Sequence, residues 1–312
     1  MKDLRPKLYG LLAFAGVALP LAAIAEDWPQ WGGTPARNMV SPSDAPMPLD
    51  IKGGKKIKGS EDIDPATTKG VKWITKIGSQ SYGTPTVANG KILVGTNNET
   101  PRDPKHEGDR GVLMCFNESD GSLLWQLVVP KLGAGKVSDW EFLGICSSAA
   151  VEGDRCYIIT NRGEVVCLDM NGQANGNDGM KEEGAYMAGP GNAPLEVGKL
   201  DADIIWSYDM RAELGVFPHN ITSSSPLIAA GKLFITTSNG VDWSHTNIPA
   251  PQAPALIALD LKTGELLGEE GSGIGQNIMH CNWSSPAYGE IKGKPAIIFA
   301  AGDGYCYAFD PE

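Results

Sequence analysis

SSSPLIAAGKLFITT, residues 223–237, carries the fold: small polar residues and a proline, a short apolar run, a tight A-G-K turn, then a strand rich in β-branched and aromatic residues. The same order of signals recurs in YGTPTVANGKILVGT at 82–96, CSSAAVEGDRCYIIT at 146–160 and WSSPAYGEIKGKPAIIFA at 283–300. A third strand follows each time, in GVLMCFNESDG at 111–121, GEVVCLDMNG at 163–172, APALIALDLKTG at 253–264 and GYCYAFDPE at 304–312. A fourth, SLLWQLVV, ADIIWSYD and ELLGEE, completes the first three units. Aligned positions Pro85, Ala149, Pro226 and Pro286 stand 64, 77 and 60 residues apart. The excess over a four-stranded unit of roughly 40 to 50 residues is loop.

A single unit cannot bury both faces of its sheet, and stacking sheets face to face around an axis solves that. The expected fold is all-β: a β-propeller of four-stranded antiparallel blades, about four of them, over 71–129, 130–209, 210–270 and 271–312, after a signal segment at 1–25 and an extended stretch at 26–70. Trp73, Trp125 and Trp206 recur at the outer strand, where an indole wedges between blades, and Leu267 is expected in that place in the third unit. The fourth unit stops at AFDPE, where a T-G turn and an outer strand should follow. An incomplete or open ring is expected, with a terminal blade face that invites a protein partner or self-association.

The repeats SSSPLIAAGKLFITT, ALIALDLKTGELL and ESDGSLLW resemble the pyrroloquinoline quinone (PQQ) type β-propeller repeat, and DWPQWGG at 27–33 is similar to the tryptophan-containing opening before the first blade in such proteins. The resemblance covers about residues 27–312, is weakest over 34–70, and suggests the N-terminal half of a longer exported member. It implies the fold more strongly than a function, since the family spans quinone-dependent alcohol and sugar dehydrogenases, outer-membrane assembly scaffolds and exported members of other kinds.

MKDLRPKLY followed by GLLAFAGVALPLAAIA reads as a cleaved secretory signal, with Ala23 and Ala25 offering an A-x-A site before Glu26, and the style of the repeat is bacterial. The expected location is periplasmic or secreted, with no stable transmembrane anchor. Net charge is −11, and near −13 once the three basic groups and one acidic group of residues 1–25 are removed. Such an acidic chain does not attract nucleic acid by its overall field. Cysteines at 115, 146, 156, 167, 281 and 306 match neither a zinc knuckle nor a C-x-x-C pair. Cys156 with Cys167, and Cys281 with Cys306, are placed to bridge adjacent strands or to stay as buried thiols.

Connections between blades and between second and third strands emerge on one face, and the long insertions at 97–111, 130–145, 211–220, 239–254 and 271–282 all fall there. Elaborated loops on a rigid scaffold build binding surfaces. The insert at 172–203, rich in Gly and Asn, is expected as a flexible loop on the opposite face. All four histidines fall on the elaborated face: His219 and His280 just before inner strands, His106 and His245 in longer excursions. With Gln276 and Asn277, His219, His245 and His280 form the expected binding face, though no H-x-H or H-E-x-x-H spacing marks a zinc site.

For the dehydrogenase members the resemblance implies PQQ and calcium. Glu141, Asn220 and Asp242 are the candidate calcium ligands here, Trp140, Trp243 and Trp283 the candidate stacking platform, and Asp303 the candidate general base. No cofactor follows from the residues themselves, and the vicinal cysteine pair of many quinone alcohol dehydrogenases is missing. The leading reading is an exported, non-catalytic binding or scaffold propeller that uses its loop-rich face. The leading reading takes a protein or a small molecule as its ligand; a PQQ- and calcium-dependent dehydrogenase, or a fragment of one, is the alternative, and a glycan-binding propeller the third.

Overall fold

The computed structural model describes residues 27–40 and 50–312. The expected signal segment, with its cleavage site at Ala23 and Ala25, lies outside the described residues. A small hairpin, β1 (Lys55–Lys56) with β2 (Ile63–Asp64), occupies the stretch expected to be extended.

Four antiparallel meanders follow. The first is β3 (Thr86–Ala88), β4 (Lys91–Asn97), β5 (Arg110–Asn117) and β6 (Leu123–Pro130). The second is β7 (Ala150–Glu152), β8 (Arg155–Ile159), β9 (Glu164–Asp169) and β10 (Ile204–Asp209). The third is β11 (Leu227–Ala229), β12 (Lys232–Thr236), β13 (Leu256–Asp260) and β14 (Leu266–Glu269). The fourth has three strands, β15 (Ala287–Ile291), β16 (Lys294–Ala300) and β17 (Cys306–Phe309). The fold is all-β, the sheets are propeller blades, and no closed barrel forms among the described residues. The first two strands of blades 1, 3 and 4 join through two-residue turns with both residues at positive φ: Asn89-Gly90, Ala230-Gly231 and Lys292-Gly293. Glycine in the second place suits the turn that continues strand twist.

Three apolar clusters glue neighbouring blades. Leu113, Cys115 and Trp125 of blade 1 meet Cys156, Ile158 and Leu168 of blade 2. Tyr157, Val165 and Cys167 of blade 2 meet Leu233, Ile235 and Leu259 of blade 3. Leu227, Phe234 and Leu256 of blade 3 meet Ile297 and Phe299 of blade 4. Trp125 and Trp206 wedge between blades as expected, whereas Trp73 lies outside the strands and packs on blade 1. Nε1 of Trp125 donates to the Met170 carbonyl at 3.0 Å and that of Trp206 to Leu261 at 3.3 Å, each reaching the next blade, while Trp73 donates to Glu118 of blade 1 at 2.8 Å. Each ring packs on a turn glycine, Gly172, Gly264 and Gly121 respectively, where an added Cβ would come within 2.7 Å.

Leu267 does not take the tryptophan's place. The outer strand carries a bulge in all three complete blades, and Leu124, Ile205 and Leu267 are its extra residues. Gly268 stands where Trp125 and Trp206 stand, with nothing within 4 Å of its missing Cβ. A cavity of about 270 Å³ opens there between blades 3 and 4, lined by Phe234, Leu256, Ile297 and Phe309.

Serines tie the inner edges together. Thr84 N donates to Ser148 Oγ (2.7 Å), Ser148 N to Ser225 Oγ (3.0 Å) and Ser225 N to Ser285 Oγ (2.8 Å), so one hydrogen bond repeats from blade to blade. The segment around DWPQWGG runs along the same edges. Trp28 pairs with Val87, Val151 N donates to Pro29 O, Arg37 donates to Ser225 O and Pro226 O, and Tyr288 N donates to Pro35 O. Residues 28–37 therefore stitch the inner strands of all four blades.

The Cys156 and Cys167 pair takes the second of its two expected states, buried thiols, while the flexible loop expected at 172–203 needs correction. Across β8 and β9, Cys167 faces Tyr157 and Cys156 faces Leu168, so the side chains of Cys156 and Cys167 enter different interblade clusters and no bridge forms. All six cysteines are free; Cys281 is buried with Sγ on Ser238 O, and Cys306 is exposed. The 172–203 insert is structured. It holds a 3₁₀ turn (Gly172–Asn175) and α1 (Glu183–Ala188), whose Met187 and Ala188 are buried. From the far end it returns to the loop-rich end of blades 1 and 2: Arg110 donates to Met187 O, Gly189 abuts Pro130, and Tyr186 OH donates to Glu164 at 2.6 Å.

Candidate functional site: the axial mouth

Buried asparagines at the ends of second strands fix the loops of the elaborated face. Asn97 Nδ2 donates to Phe142 O at 2.5 Å, Asn161 Nδ2 to Asp139 Oδ2 at 2.8 Å, and Asn239 Nδ2 to Ala250 O at 2.9 Å. The 130–145 loop folds around Asp139, whose buried carboxylate pairs with Lys131 and accepts from Leu132 N. Burial raises the Asp139 pKa against the pull of Lys131. Gly144, at φ 70°, passes so close to Thr96 O that a Cβ would lie 2.1 Å away. The loop then docks on blade 3, with Trp140 N donating to Asn220 O (2.7 Å) and Asn220 N to Val137 O (2.8 Å).

That docking forms a groove of about 410 Å³ at the axial mouth. Its floor has a repeat logic: Tyr82, Cys146, Ser223 and Trp283 occupy one equivalent position, three residues before Pro85, Ala149, Pro226 and Pro286, and all four line it. Trp140, Leu143, Asn220 and Ile221 form the wall. Trp283 Nε1 donates to His219 O at 3.2 Å and Ile221 O at 3.1 Å, which locks the indole. Lys136 Nζ lies 5.1 Å from the centre of the Trp140 ring. Burial pushes the Cys146 thiol up to about 12.

Beside the groove three imidazoles converge. Ring centroids of His219 and His280 are 4.6 Å apart, those of His219 and His245 4.8 Å, and those of His245 and His280 5.0 Å; Trp283 lies 5.0 Å from His280. His219 is fully buried, while His245 and His280 are exposed. Desolvation lowers the pKa of His219 and of His280. His106 is elsewhere: fully buried, with Nε2 3.5 Å from Asp201 Oδ1, it ties the 97–111 loop to the insert of blade 2, as does Lys105 at 2.5 Å from Asp201.

Of the candidate platform, Trp140 and Trp283 share the groove, whereas Trp243 stands apart, 54 % exposed. Gln276 and Asn277 are exposed at the 3₁₀ turn Ile274–Gln276. Glu141 is exposed at the loop tip, and Asn220 serves the wall through its backbone. Asp242 is held to about 2 by Ser244 and Asn247, which occupy its oxygens. Asp303 is buried and accepts from Tyr307 OH (2.6 Å) and Tyr305 N (3.1 Å), the setting of a turn residue. Neither Glu141, Asp242 nor Asp303 belongs to a converging group of three ionisable ligands among the described residues. The converging donors at the mouth are imidazole nitrogens, which do not fit a calcium ion beside an orthoquinone, since calcium takes oxygen ligands.

Residues 64–184 match the family model described as outer membrane protein assembly factor BamB. The match supports kinship with the PQQ-like, BamB-like β-propeller superfamily. A search of curated proteins gives no match. Among solved structures, a quinohemoprotein alcohol dehydrogenase from Pseudomonas putida HK5 is 15 % identical with a TM-score of 0.49, over 91 % of this chain and 38 % of that one. BamB from Moraxella catarrhalis is 14 % identical with a TM-score of 0.43, over 78 % and 50 %. A quinohemoprotein alcohol dehydrogenase from Comamonas testosteroni is 13 % identical with a TM-score of 0.42, over 91 % and 47 %. The chain thus spans half or less of the length of these three proteins.

Tyr82, Leu143 and Ile221 were not singled out from the sequence. The signal for Tyr82 was present: it shares a repeat column with Trp283, and that column lines the axis.

Proposed function

We propose that this chain is an exported binding or scaffold propeller that grips a protein partner in the groove at its axial mouth. The groove itself carries the reading: Tyr82, Trp140 and Trp283 present aromatic surface beside apolar Leu143 and Ile221, with Tyr82 64 % exposed. Aromatic side chains give large contact area at low entropic cost and concentrate at protein interfaces. The family model matched over 64–184 is described as an assembly factor, which fits a scaffold rather than a catalyst. Export rests on the basic and apolar pattern of residues 1–25. Among the described residues, no helix is long and apolar enough to cross a membrane.

The test is site-specific photo-cross-linking in cells that make the protein. Benzoylphenylalanine replaces Tyr82 in one variant and Lys292, in the exposed hairpin turn of blade 4, in another. The reading expects one discrete protein adduct at position 82, lost when Trp140→Ala or Trp283→Ala is added. Equal, diffuse labelling at both positions would contradict it.

A further inference from the structure

We propose that His219, His245 and His280 form a binding site for a divalent transition metal of the zinc and copper class. It goes beyond the partner-binding reading and does not depend on it.

The decisive atom is Nε2 of His219. The ring is fully buried, and its Nδ1 lies 2.7 Å from the carbonyl oxygen of Val241. A carbonyl oxygen only accepts, so Nδ1 carries a proton, and in the neutral imidazole Nε2 then carries the lone pair. That nitrogen is buried with no hydrogen-bond partner, and leaving a buried acceptor unpaired is costly. Edge-to-face ring packing explains the approach of the three imidazoles but leaves this lone pair idle. A metal ion satisfies it, and a backbone carbonyl on the other ring nitrogen is the outer-shell contact that orients metal-binding histidines.

The rings of His245 and His280 converge on that of His219. One nitrogen from each ring can be chosen so that all three lie within 4.8 Å of one another. Neutral imidazole suits zinc, copper and nickel, whereas calcium and magnesium prefer oxygen. Three protein ligands leave a coordination position, and the exposure of His245 and His280 turns it toward solvent.

The backbone is arranged for the convergence. Gly240 pairs with Cys281, and Val241 N donates to His280 O at 2.9 Å, which brings together the loops bearing His219 and His280. A Cβ on Gly240 would sit 2.6 Å from His219 Cβ and 2.7 Å from His280 O. His245 sits at φ 58°, in a turn closed by its own N–H on Asp242 O and by the Asp242 side chain on Ser244 and Asn247. The ligands are too far apart in sequence to form a short motif.

The test uses the full chain, purified without a polyhistidine tag and stripped with a chelator. Zinc is titrated calorimetrically, and cobalt(II) by its visible absorption. One zinc per chain is expected, together with a cobalt spectrum of low coordination number. His245→Ala and His280→Ala should each weaken zinc binding at least tenfold with far-UV circular dichroism unchanged. His219→Ala should do the same where it folds; because that ring is buried, the two exposed variants carry the result if it does not. Zinc binding unaltered by both exposed variants would locate the ion elsewhere, for example at Asp103, His106 and Asp201, and overturn the proposal. So would a folded wild-type chain that takes up no zinc.

Discussion

Nη2 of Arg37 donates to the carbonyl oxygen of Pro226 at 2.9 Å, placing a guanidinium from the N-terminal segment on the inner edge of blade 3. Nη1 donates to Trp31 O at 2.7 Å, and the charge lies 5.1 Å from the centre of the Trp31 ring. Burial lowers the Arg37 pKa to about 10. Arg37→Ala leaves these carbonyls without donors and should cost roughly 2–4 kcal/mol. Urea unfolding checks this; a loss near zero would mean that the segment is not a structural stitch.

The serine ladder gives a second expectation. Ser225→Ala removes the acceptor of the buried Ser148 N–H and should cost about 1–3 kcal/mol. Amide exchange at residue 148 should quicken, because its donor loses its partner. Unchanged exchange there would contradict the link.

Gly268 tests the wedge. Its φ lies outside the left-handed range, and the cavity beside it is where the other complete blades seat an indole. Gly268→Trp should raise stability by about 1–2 kcal/mol, read as a higher Tm. A lower Tm would show that the interface between blades 3 and 4 cannot accept the ring.

Asp203 gives a pH dependence. Burial, then Glu183, Asp169 and Asp178, raise its pKa above the ordinary 3.8, and its Oδ1 has no partner. The folded state therefore holds this proton more tightly than the unfolded chain. The stability it confers is complete below the unfolded value and is lost as pH rises through the folded one. Asp203→Asn should flatten that fall, seen by comparing denaturation midpoints of variant and wild type across the acid range. An identical slope would remove Asp203 from the account.

Thiol accessibility follows from burial. Cys115, Cys146, Cys156, Cys167 and Cys281 are buried and Cys306 is exposed. A thiol reagent should label Cys306 alone in the native chain and all six cysteines after unfolding. Rapid native labelling at Cys156 or Cys167 would mean that the interblade clusters are looser than described.

The blades were legible because strand, turn and strand recur in a fixed order, and the Trp125 and Trp206 wedges followed from that order. Leu267 was misplaced because a bulge shifts the outer strand by one residue, which spacing from the T-G turn would have shown. The 172–203 insert read as flexible from its Gly and Asn content, yet Met187 and Ala188 bury against blade 1. The role of residues 28–37 was hidden because its contacts are with backbone atoms of four blades, which no local pattern encodes. The grouping of His219, His245 and His280 was expected only as part of a broad face. Their convergence depends on Gly240, whose lack of a side chain matters only once the loops are packed.

The most direct test of the three-histidine site is zinc K-edge X-ray absorption on the chain loaded with one equivalent of zinc. The expected spectrum has three imidazole nitrogens at about 2.0 Å, falling to two in His280→Ala. A first shell of oxygen atoms alone, or one unchanged by that substitution, would contradict it.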